Sequence, residues 1–256
     1  MQDMLNIVLS ISLDASRKIL EVYNADFSFV SKDDNSPLTL ADTASNELIV
    51  SRLKESYPDI PILSEESTAC ISKNTEYCWV VDPLDGTKEF IKKNGEFTVN
   101  IALVKNSKPI LGVIAIPVTG TVYFASKGNG AFRQESTTVA TTIHVSDKTS
   151  ELIWVGSKSH STEKETNLIA QKNYLIKEMI SAGSSLKGTM VAEGKADVYY
   201  RFGPTCEWDT CAMHCIVEEA GGIFRQMDGT EMIYNRENHL NEKGFYIVNR
   251  KENIWV

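Results

Sequence analysis

An apolar run that ends in two closely spaced aspartates constrains this chain more than any other feature. The run covers residues 77–81 and leads directly into Asp82-Pro-Leu-Asp85-Gly86-Thr87. Consecutive apolar residues predict a buried strand, and Pro83 stiffens the following turn because it fixes one backbone dihedral angle. Two carboxylates three residues apart on a stiff turn can converge on a hard cation. The pattern therefore predicts a strand that delivers an acidic site at its carboxyl end.

The residues after this turn extend the same prediction. Gly86 lets the backbone approach a ligand closely, and the amides that follow it could open a helix whose N-terminus favours a phosphate. The alternative is an Asx-type turn that joins strand to helix and binds nothing.

Three further acidic segments lie where a strand ends or a helix begins. Glu65 and Glu66 follow the short apolar run 60–64, Asp209 lies at the start of a helical pattern, and Asp42 lies near the start of another. A lone acidic pair is usually solvated charge, and a lone aspartate at a helix start is usually a cap. Their joint occurrence with the aspartate turn favours one shared site.

The spacing of apolar residues predicts a different arrangement of helices and strands in the two halves of the chain. The spacing predicts helices at about 4–22, 40–56, 162–171, 184–193 and 208–220, and strands at 60–64, 77–81, 98–104, 110–116, 121–125, 153–155, 175–180, 198–200, 222–224 and 245–248. The strands between 98 and 125 are joined by turns and indicate an antiparallel meander. We therefore predict a layered α+β / α/β sandwich with alternating helix and sheet layers.

The predicted boundary between the two halves of the chain lies near residue 148. The N-terminal half, 1–148, would be α+β, with an antiparallel sheet and most metal ligands. The C-terminal half, 149–256, would be α/β, with the substrate-binding residues and Asp209.

The formal charge of the chain limits the kinds of molecule that the protein could bind. With 34 acidic and 26 basic residues the formal charge is −8, which disfavours a nucleic acid polymer held by the surface field. A small phosphorylated ligand remains possible if cations bridge it to the protein. No apolar stretch approaches the roughly 18 residues of a membrane span, and the N-terminus has Asp3 and no early basic residue, as expected of a cytoplasmic protein. A peripheral position at the inner face of the plasma membrane is left open.

The cysteines raise a second metal possibility. Cys206, Cys211, His214 and Cys215 are close enough in sequence to suggest zinc. Their spacing is not that of a zinc finger, and Cys211 and Cys215 lie one helical turn apart like buried apolar residues. We predict core packing.

Taken together, the acidic segments resemble a known signature. Ser64-Glu65-Glu66, the turn 82–87 and Trp208-Asp209 resemble the three-part signature of the lithium-sensitive, magnesium-dependent phosphatases of the inositol monophosphatase superfamily. The extended run 82–91 is similar to its 3′(2′),5′-bisphosphate nucleotidase branch, since inositol monophosphatases more usually have Asn where this chain has Glu89. Segments that also agree are 34–37, 94–102, 183–187 and 200–204, so the resemblance covers nearly the whole chain and implies the inositol monophosphatase/sugar phosphatase-like fold.

The resemblance implies two or three Mg²⁺ ions. Glu65, Asp82 and the carbonyl of Leu84 would hold the first ion, and Asp82, Asp85 and Asp209 the second. Two such ions can neutralise a phosphate monoester and lower the pKa of a bound water.

The resemblance also assigns catalytic and substrate contacts. Glu66, and Asp42 with the Thr87 hydroxyl, would orient and deprotonate the attacking water. The implied substrate contacts are Glu65, Leu84, Asp85, Gly86, Thr87, Ser184, Lys187, Arg201, His160 and Asp209. The chain has no Gly-x-Ser-x-Gly and no phosphate-binding loop of the Gly-x-x-x-x-Gly-Lys type, so we predict direct attack by metal-activated water and no phosphoenzyme.

The implied reaction is removal of the 3′-phosphate of adenosine 3′,5′-bisphosphate (PAP) to give AMP, and also conversion of its 5′-phosphosulfate (PAPS) to APS, as the family does in sulfur assimilation. Lys187 and Arg201 supply positive charge for a second phosphate, unless they form ordinary surface ion pairs. The alternatives are an inositol monophosphatase or a broad sugar-phosphate phosphatase, and a catalytically silent binding protein. The protein would be a monomer or a homodimer.

Overall fold

A computed structural model describes residues 1–25, 37–66, 75–136, 138–157 and 162–256, with the side chains of residues 37 and 38 left out. The helices are α1 (Gln2–Tyr23), α2 (Pro37–Ser56), α3 (Thr87–Ile91), α4 (Glu163–Lys172), α5 (Leu186–Ala192) and α6 (Glu207–Glu219). The strands are β1 (Ile62–Ser64), β2 (Tyr77–Asp85), β3 (Thr98–Lys105), β4 (Lys108–Ile116), β5 (Thr121–Ser126), β6 (Ala131–Glu135), β7 (Thr141–Ile143), β8 (Leu152–Ser157), β9 (Ile176–Ala182), β10 (Val198–Arg201), β11 (Ile223–Gln226) and β12 (Phe245–Val248).

The first sheet has seven strands in sequence order, β1 to β7. β1 is parallel to β2, and every other neighbouring pair is antiparallel. Both faces are covered, because alternate residues of one strand enter different cores. On β2, Trp79 and Val81 pack with α1 and α2, whereas Cys78 and Val80 pack toward α6. The apolar run 77–81 is continuous for this reason.

The second sheet has five strands in the order β11-β12-β10-β8-β9. β8 is parallel to its neighbours β9 and β10, and β12 is antiparallel to its neighbours β10 and β11. One face packs on the layer of α5 and α6, and the other packs with α4. The layers are therefore helices, sheet, helices, sheet, helix, and the predicted alternation of helix and sheet layers is confirmed.

Two glycines let α6 lie deep in the middle layer. A Cβ atom on Gly112 of β4 would lie 2.4 Å from the carbonyl oxygen of Ala212, and one on Gly188 of α5 would lie 2.0 Å from Sδ of Met213. A backbone carbonyl cannot move aside, so position 112 requires glycine, whereas a larger residue at position 188 would force the flexible Met213 side chain to move. The close approach sets the depth of α6, whose first turn carries Asp209.

The predicted elements are present, including the antiparallel meander, and two strands were missed. β6 and β7 are short and half-exposed, and they carry polar residues such as Arg133 and Thr141, so they have no continuous apolar run. The division at residue 148 stays a prediction. Within the described part of the chain, no helix has the length and apolarity needed to cross a membrane.

Candidate metal and phosphate site

The aspartate turn is a β-bulge. Asp82 pairs with Asn100 and Asp85 pairs with Thr98, so three steps along β2 match two steps along β3. In a regular strand, residues three apart point to opposite faces, and one extra residue brings them to the same face. Pro83 lies inside the irregularity, where its missing N–H breaks no ladder bond. The bulge explains how both carboxylates reach one site.

Asp209 joins these two aspartates from the first turn of α6. Single carboxylate oxygens of Asp82, Asp85 and Asp209 lie within 4.8 Å of one another, and this triad could hold a metal ion. The backbone N–H of Cys206 donates to Asp209 Oδ2 at 2.5 Å, which fixes the side chain at the helix start. Desolvation and the charge of Asp85 nevertheless raise the pKa of Asp209 to about 7.

Glu65, Glu66 and Asp42 complete the acidic site. β1 lies beside β2, and the backbone N–H of Glu65 donates to the carbonyl of Val81 at 3.2 Å, which places Glu65 next to Asp82. Desolvation raises the pKa of Asp42, on α2, to about 8, and the neighbouring charge of Glu66 adds to the effect. All the predicted carboxylates are therefore brought close enough to interact.

The donor set fits hard divalent cations. Desolvation and the charges of Asp85, Glu65, Asp209 and Asp42 raise the pKa of Asp82 well above its ordinary value. Asp82 Oδ2 and Asp42 Oδ1 are buried and have no hydrogen-bond partner among the described residues. Leaving such oxygens unpaired is costly, and a cation that prefers several oxygen ligands would remove the cost.

Asp85 is held by Ser184, Ser185 and Asn100, of which only Ser184 was a predicted site residue. Its Oδ2 atom accepts from the Ser184 hydroxyl and the Ser185 backbone N–H, both at 2.7 Å, and from Asn100 Nδ2 at 3.4 Å. Asn100 and Ser185 were not predicted as site residues, although both lie in segments that carry the resemblance described above, 94–102 and 183–187. The next residue, Gly86, has φ +97°, and a Cβ there would lie 3.1 Å from the carbonyl of Glu96.

A cavity of about 620 Å³ opens beside the carboxylates. The predicted residues that line it are Asp85, Gly86, Thr87, Ser184, Lys187, Arg201 and Asp209. Lys187 is 7% exposed, and its ammonium donates to the carbonyls of Ser184 at 2.5 Å and Ala182 at 3.3 Å. Desolvation lowers the pKa of Lys187 to about 8, and Arg201 adds to the effect. The cavity thus joins an acidic end to a cationic end.

A comparison with known families identifies this arrangement. The model of the inositol monophosphatase family matches residues 1–253. The chain belongs to the inositol monophosphatase family. The resemblance seen in the sequence is thereby confirmed, and the layered fold is the fold of this family.

The relatives of this family member include named enzymes. The chain is 42% identical to the 3′(2′),5′-bisphosphate nucleotidase CysQ of Salmonella typhimurium over 250 residues, which are 96% of this chain and 99% of the relative. It is also 42% identical to CysQ of Escherichia coli K12 over 243 residues, 93% of this chain and 97% of the relative.

Solved structures of similar proteins have the same fold as this chain. CysQ from Bacteroides thetaiotaomicron superposes with a TM-score of 0.87 at 40% identity, covering 98% of this chain and 99% of that one. An inositol monophosphatase from Zymomonas mobilis gives 0.82 at 22% identity, with coverage of 99% and 95%, and shows the shared fold.

For two site residues predicted for this family member, Thr87 and Leu84, the structure gives the position but not the role. Thr87 is exposed and begins α3, and Leu84 is buried with its N–H donating to Asp82 Oδ1 at 3.2 Å. Their roles toward water and metal stay predictions. His160 and most of the segment 34–37 lie outside the described residues. Cys211 and Cys215 are buried in the core on α6, which confirms the packing role predicted for them.

The acidic site of this family member predicts an unusual pH dependence of stability. Asp42 and Asp209 have folded-state pKa values of about 8 and about 7, above an unfolded value of about 3.9. The metal-free folded state therefore binds more protons than the unfolded state, and stability falls as pH rises between those values. We expect the melting temperature in EDTA to fall from pH 5 to pH 7.5, by about 2–4 °C for each kcal/mol lost.

Calorimetry or circular dichroism melts over this pH range test the expectation. Saturating Mg²⁺ should raise the melting temperature more at pH 7.5 than at pH 5, and Asp42→Asn should flatten the metal-free curve. The low pKa of Glu218, about 2, does not interfere, since its contribution to stability is fully present above about pH 5 and is lost only at lower pH. A metal-free melting temperature that rises with pH would contradict the assigned electrostatics.

Proposed function

We propose that this protein is a magnesium-dependent phosphatase that removes the 3′-phosphate of adenosine 3′,5′-bisphosphate and releases AMP and inorganic phosphate. It would also convert PAPS to APS. The observation that carries the proposal is one cavity with clustered carboxylates at one end and the buried Lys187 and Arg201 at the other. The names of the CysQ relatives support the same substrate class.

The carboxylates would hold two or three Mg²⁺ ions. Asp82, Asp85 and Asp209 would hold one ion, and Glu65 and Asp82 with the Leu84 carbonyl another. When bound, such ions neutralise the charge of a phosphate monoester, lower the pKa of water and stabilise the leaving oxygen. Bound cations would also offset the desolvation and the mutual repulsion that raise the pKa values of Glu65, Asp82 and Asp209.

Proton transfer is assigned to Asp42 and Glu66, with the Thr87 hydroxyl helping to orient the water. The Asp42 carboxyl forms a hydrogen bond with Glu66, and desolvation followed by the charge of Glu66 raises the pKa of Asp42 to about 8. A carboxyl whose pKa lies near neutral pH can accept a proton from an attacking water. The backbone after Asp85, at Gly86 and Thr87, would contact the phosphate being removed.

The hydroxyls near the reaction centre support attack by water rather than by the protein. A serine nucleophile needs a base that takes its proton. The Ser184 hydroxyl donates to Asp85, and the Ser185 hydroxyl donates to Asn100 Oδ1 at 2.8 Å. Asp85 is assigned to a metal, so it is not available as that base, and we expect no phosphoenzyme.

The cationic end of the cavity fits a second phosphate. Lys187 has three N–H donors, and two of them are used by the carbonyls of Ala182 and Ser184. Among the described residues no acceptor is recorded for the third N–H, so it remains for a ligand. An inositol monophosphate would leave this third donor with only the Tyr199 ring, whose centroid lies 5.6 Å from the ammonium, whereas the retained 5′-phosphate of the bisphosphate would accept from it. This difference favours the bisphosphate over the inositol monophosphatase alternative.

A three-substrate assay tests the proposal. With Mg²⁺, kcat/KM on adenosine 3′,5′-bisphosphate should exceed that on inositol 1-phosphate and on fructose 1,6-bisphosphate by roughly tenfold or more, because only the first places both phosphates at their sites. EDTA should abolish turnover, and lithium should inhibit it. A tenfold preference for inositol 1-phosphate would overturn the assignment, and no turnover of any substrate would favour a binding protein.

A cytoplasmic location, contact with the inner face of the plasma membrane, and the choice between monomer and homodimer stay predictions.

A further inference from the structure

We propose that Thr98 is a positioning residue that aims Asp85 at the metal through the hydroxyl of Ser184. The inference rests on the metal-site part of the proposed function and not on its substrate. Thr98 is the first residue of β3 and is fully buried, and it lies opposite Asp85 in the strand register. Its hydroxyl oxygen lies 2.6 Å from Ser184 Oγ and 2.8 Å from Ser185 Oγ.

The direction of these hydrogen bonds follows from counting protons. A carboxylate only accepts, so Ser184 must use its one hydroxyl proton on Asp85 Oδ2. At the 2.6 Å contact Ser184 therefore accepts, and Thr98 is the donor. Thr98 has then spent its proton, so its 3.2 Å contact with Asn100 Oδ1 is not a second donation, and the Ser185 hydroxyl donates to Asn100 Oδ1 at 2.8 Å. The hydroxyls point one way, from Thr98 through Ser184 to Asp85.

This ordered chain holds one oxygen of Asp85 and leaves the other available. Oδ2 accepts from Ser184, Ser185 and Asn100, which saturates its accepting positions in the described structure. The rotation of the carboxylate is thereby fixed. Groups that orient a metal ligand in this way raise metal affinity because the ligand does not have to be ordered on binding.

The conformation of Ser184 is independent support. Its φ is +52°, in the left-handed region that residues other than glycine rarely adopt. Such a conformation is costly and persists where surrounding contacts impose it. Here Thr98 and Asp85 hold the hydroxyl, and Lys187 holds the carbonyl at 2.5 Å. Ser184 thus connects the proposed metal ligand to the cationic end of the cavity.

Metal binding to the enzyme without substrate tests the proposal. We would titrate Mn²⁺ into metal-free protein and follow it by electron paramagnetic resonance and calorimetry. Thr98→Val replaces the hydroxyl with a methyl group of similar size and should weaken binding about tenfold. Thr98→Ser keeps the hydroxyl and should stay within about twofold of wild type. Thr121→Val, a buried threonine on β5 that contacts Thr119, is the matched control and should leave affinity unchanged.

A second pair keeps the test valid if Thr98→Val does not fold. Thr98→Ala and Thr98→Ser lack the same methyl group and differ only in the hydroxyl, so the alanine variant should bind Mn²⁺ about tenfold more weakly than the serine variant. Wild-type affinity in folded Thr98→Val, or equal affinities in the alanine and serine variants, would overturn the proposal.

A double-mutant cycle separates positioning from general destabilisation. If Thr98 acts through Ser184, then Thr98→Val should cost nothing further in a Ser184→Ala background, whereas independent effects would add. Additive losses would overturn the relay. An inactive enzyme that still shows the expected order of Mn²⁺ affinities would overturn the proposed substrate and leave the role of Thr98 standing.

Discussion

Asp85→Asn should lower turnover of adenosine 3′,5′-bisphosphate by at least about 10²-fold while the protein stays folded. An asparagine can turn its carbonyl oxygen toward the donors on Ser184 and Ser185 that now face Oδ2. Its NH₂ group then replaces Oδ1, the oxygen that these donors leave available for a metal. A hydrogen-bond donor at that place cannot bind a cation, so the substitution removes both a ligand and a charge.

The same substitution should not destabilise the metal-free protein. Asp85 is one of the charges that raise the pKa values of Asp82 and Asp209, so its neutral replacement relieves repulsion. We expect an unchanged or higher melting temperature in EDTA and a smaller increase on adding Mg²⁺. Asp228→Asn, at an exposed aspartate paired with Lys243, is the control and should stay within about twofold of wild type. Full activity of Asp85→Asn would contradict the metal assignment.

The layered fold could be predicted because its strands and helices carry strong local patterns. The run 77–81 is apolar on both faces because β2 lies between two helix layers, and α1 shows a helical apolar stripe because only one face is covered. The same reasoning explains what was missed. β7, three residues long with two of them exposed, is specified by pairing with β6, and local sequence does not encode that pairing.

The acidic half of the site could be predicted for a different reason. Each carboxylate follows a strand or opens a helix, and such positions are recognisable in the sequence even when the residues are far apart. The residues that hold Asp85 have no such mark. Thr98 looks like an ordinary β-branched strand residue, and its partners Ser184 and Ser185 lie 86 and 87 residues further along the chain. Only the packing of β3 against the turn before α5 brings them together.

Lys187→Met should lower kcat/KM on adenosine 3′,5′-bisphosphate by roughly 10–100-fold, the value of a charge-assisted hydrogen bond in a desolvated place. On adenosine 3′-monophosphate, which lacks the retained phosphate, the loss should be much smaller. Methionine fills a similar volume, so the cavity wall keeps its shape, and Arg201 still supplies part of the positive charge. The substitution should therefore lower the preference for the bisphosphate more than it lowers the rate of phosphate removal.

Steady-state kinetics on the two nucleotides measure this difference directly. Lys195→Met, at an exposed lysine paired with Glu193, is the matched control and should leave both values unchanged. The pKa of Lys187, about 8, gives an independent check. Its charge is lost as pH rises through that value, so KM for the bisphosphate should rise above pH 8 in the wild type and not in Lys187→Met. Equal losses on both nucleotides would show that Lys187 supports the structure of the site and does not bind the second phosphate.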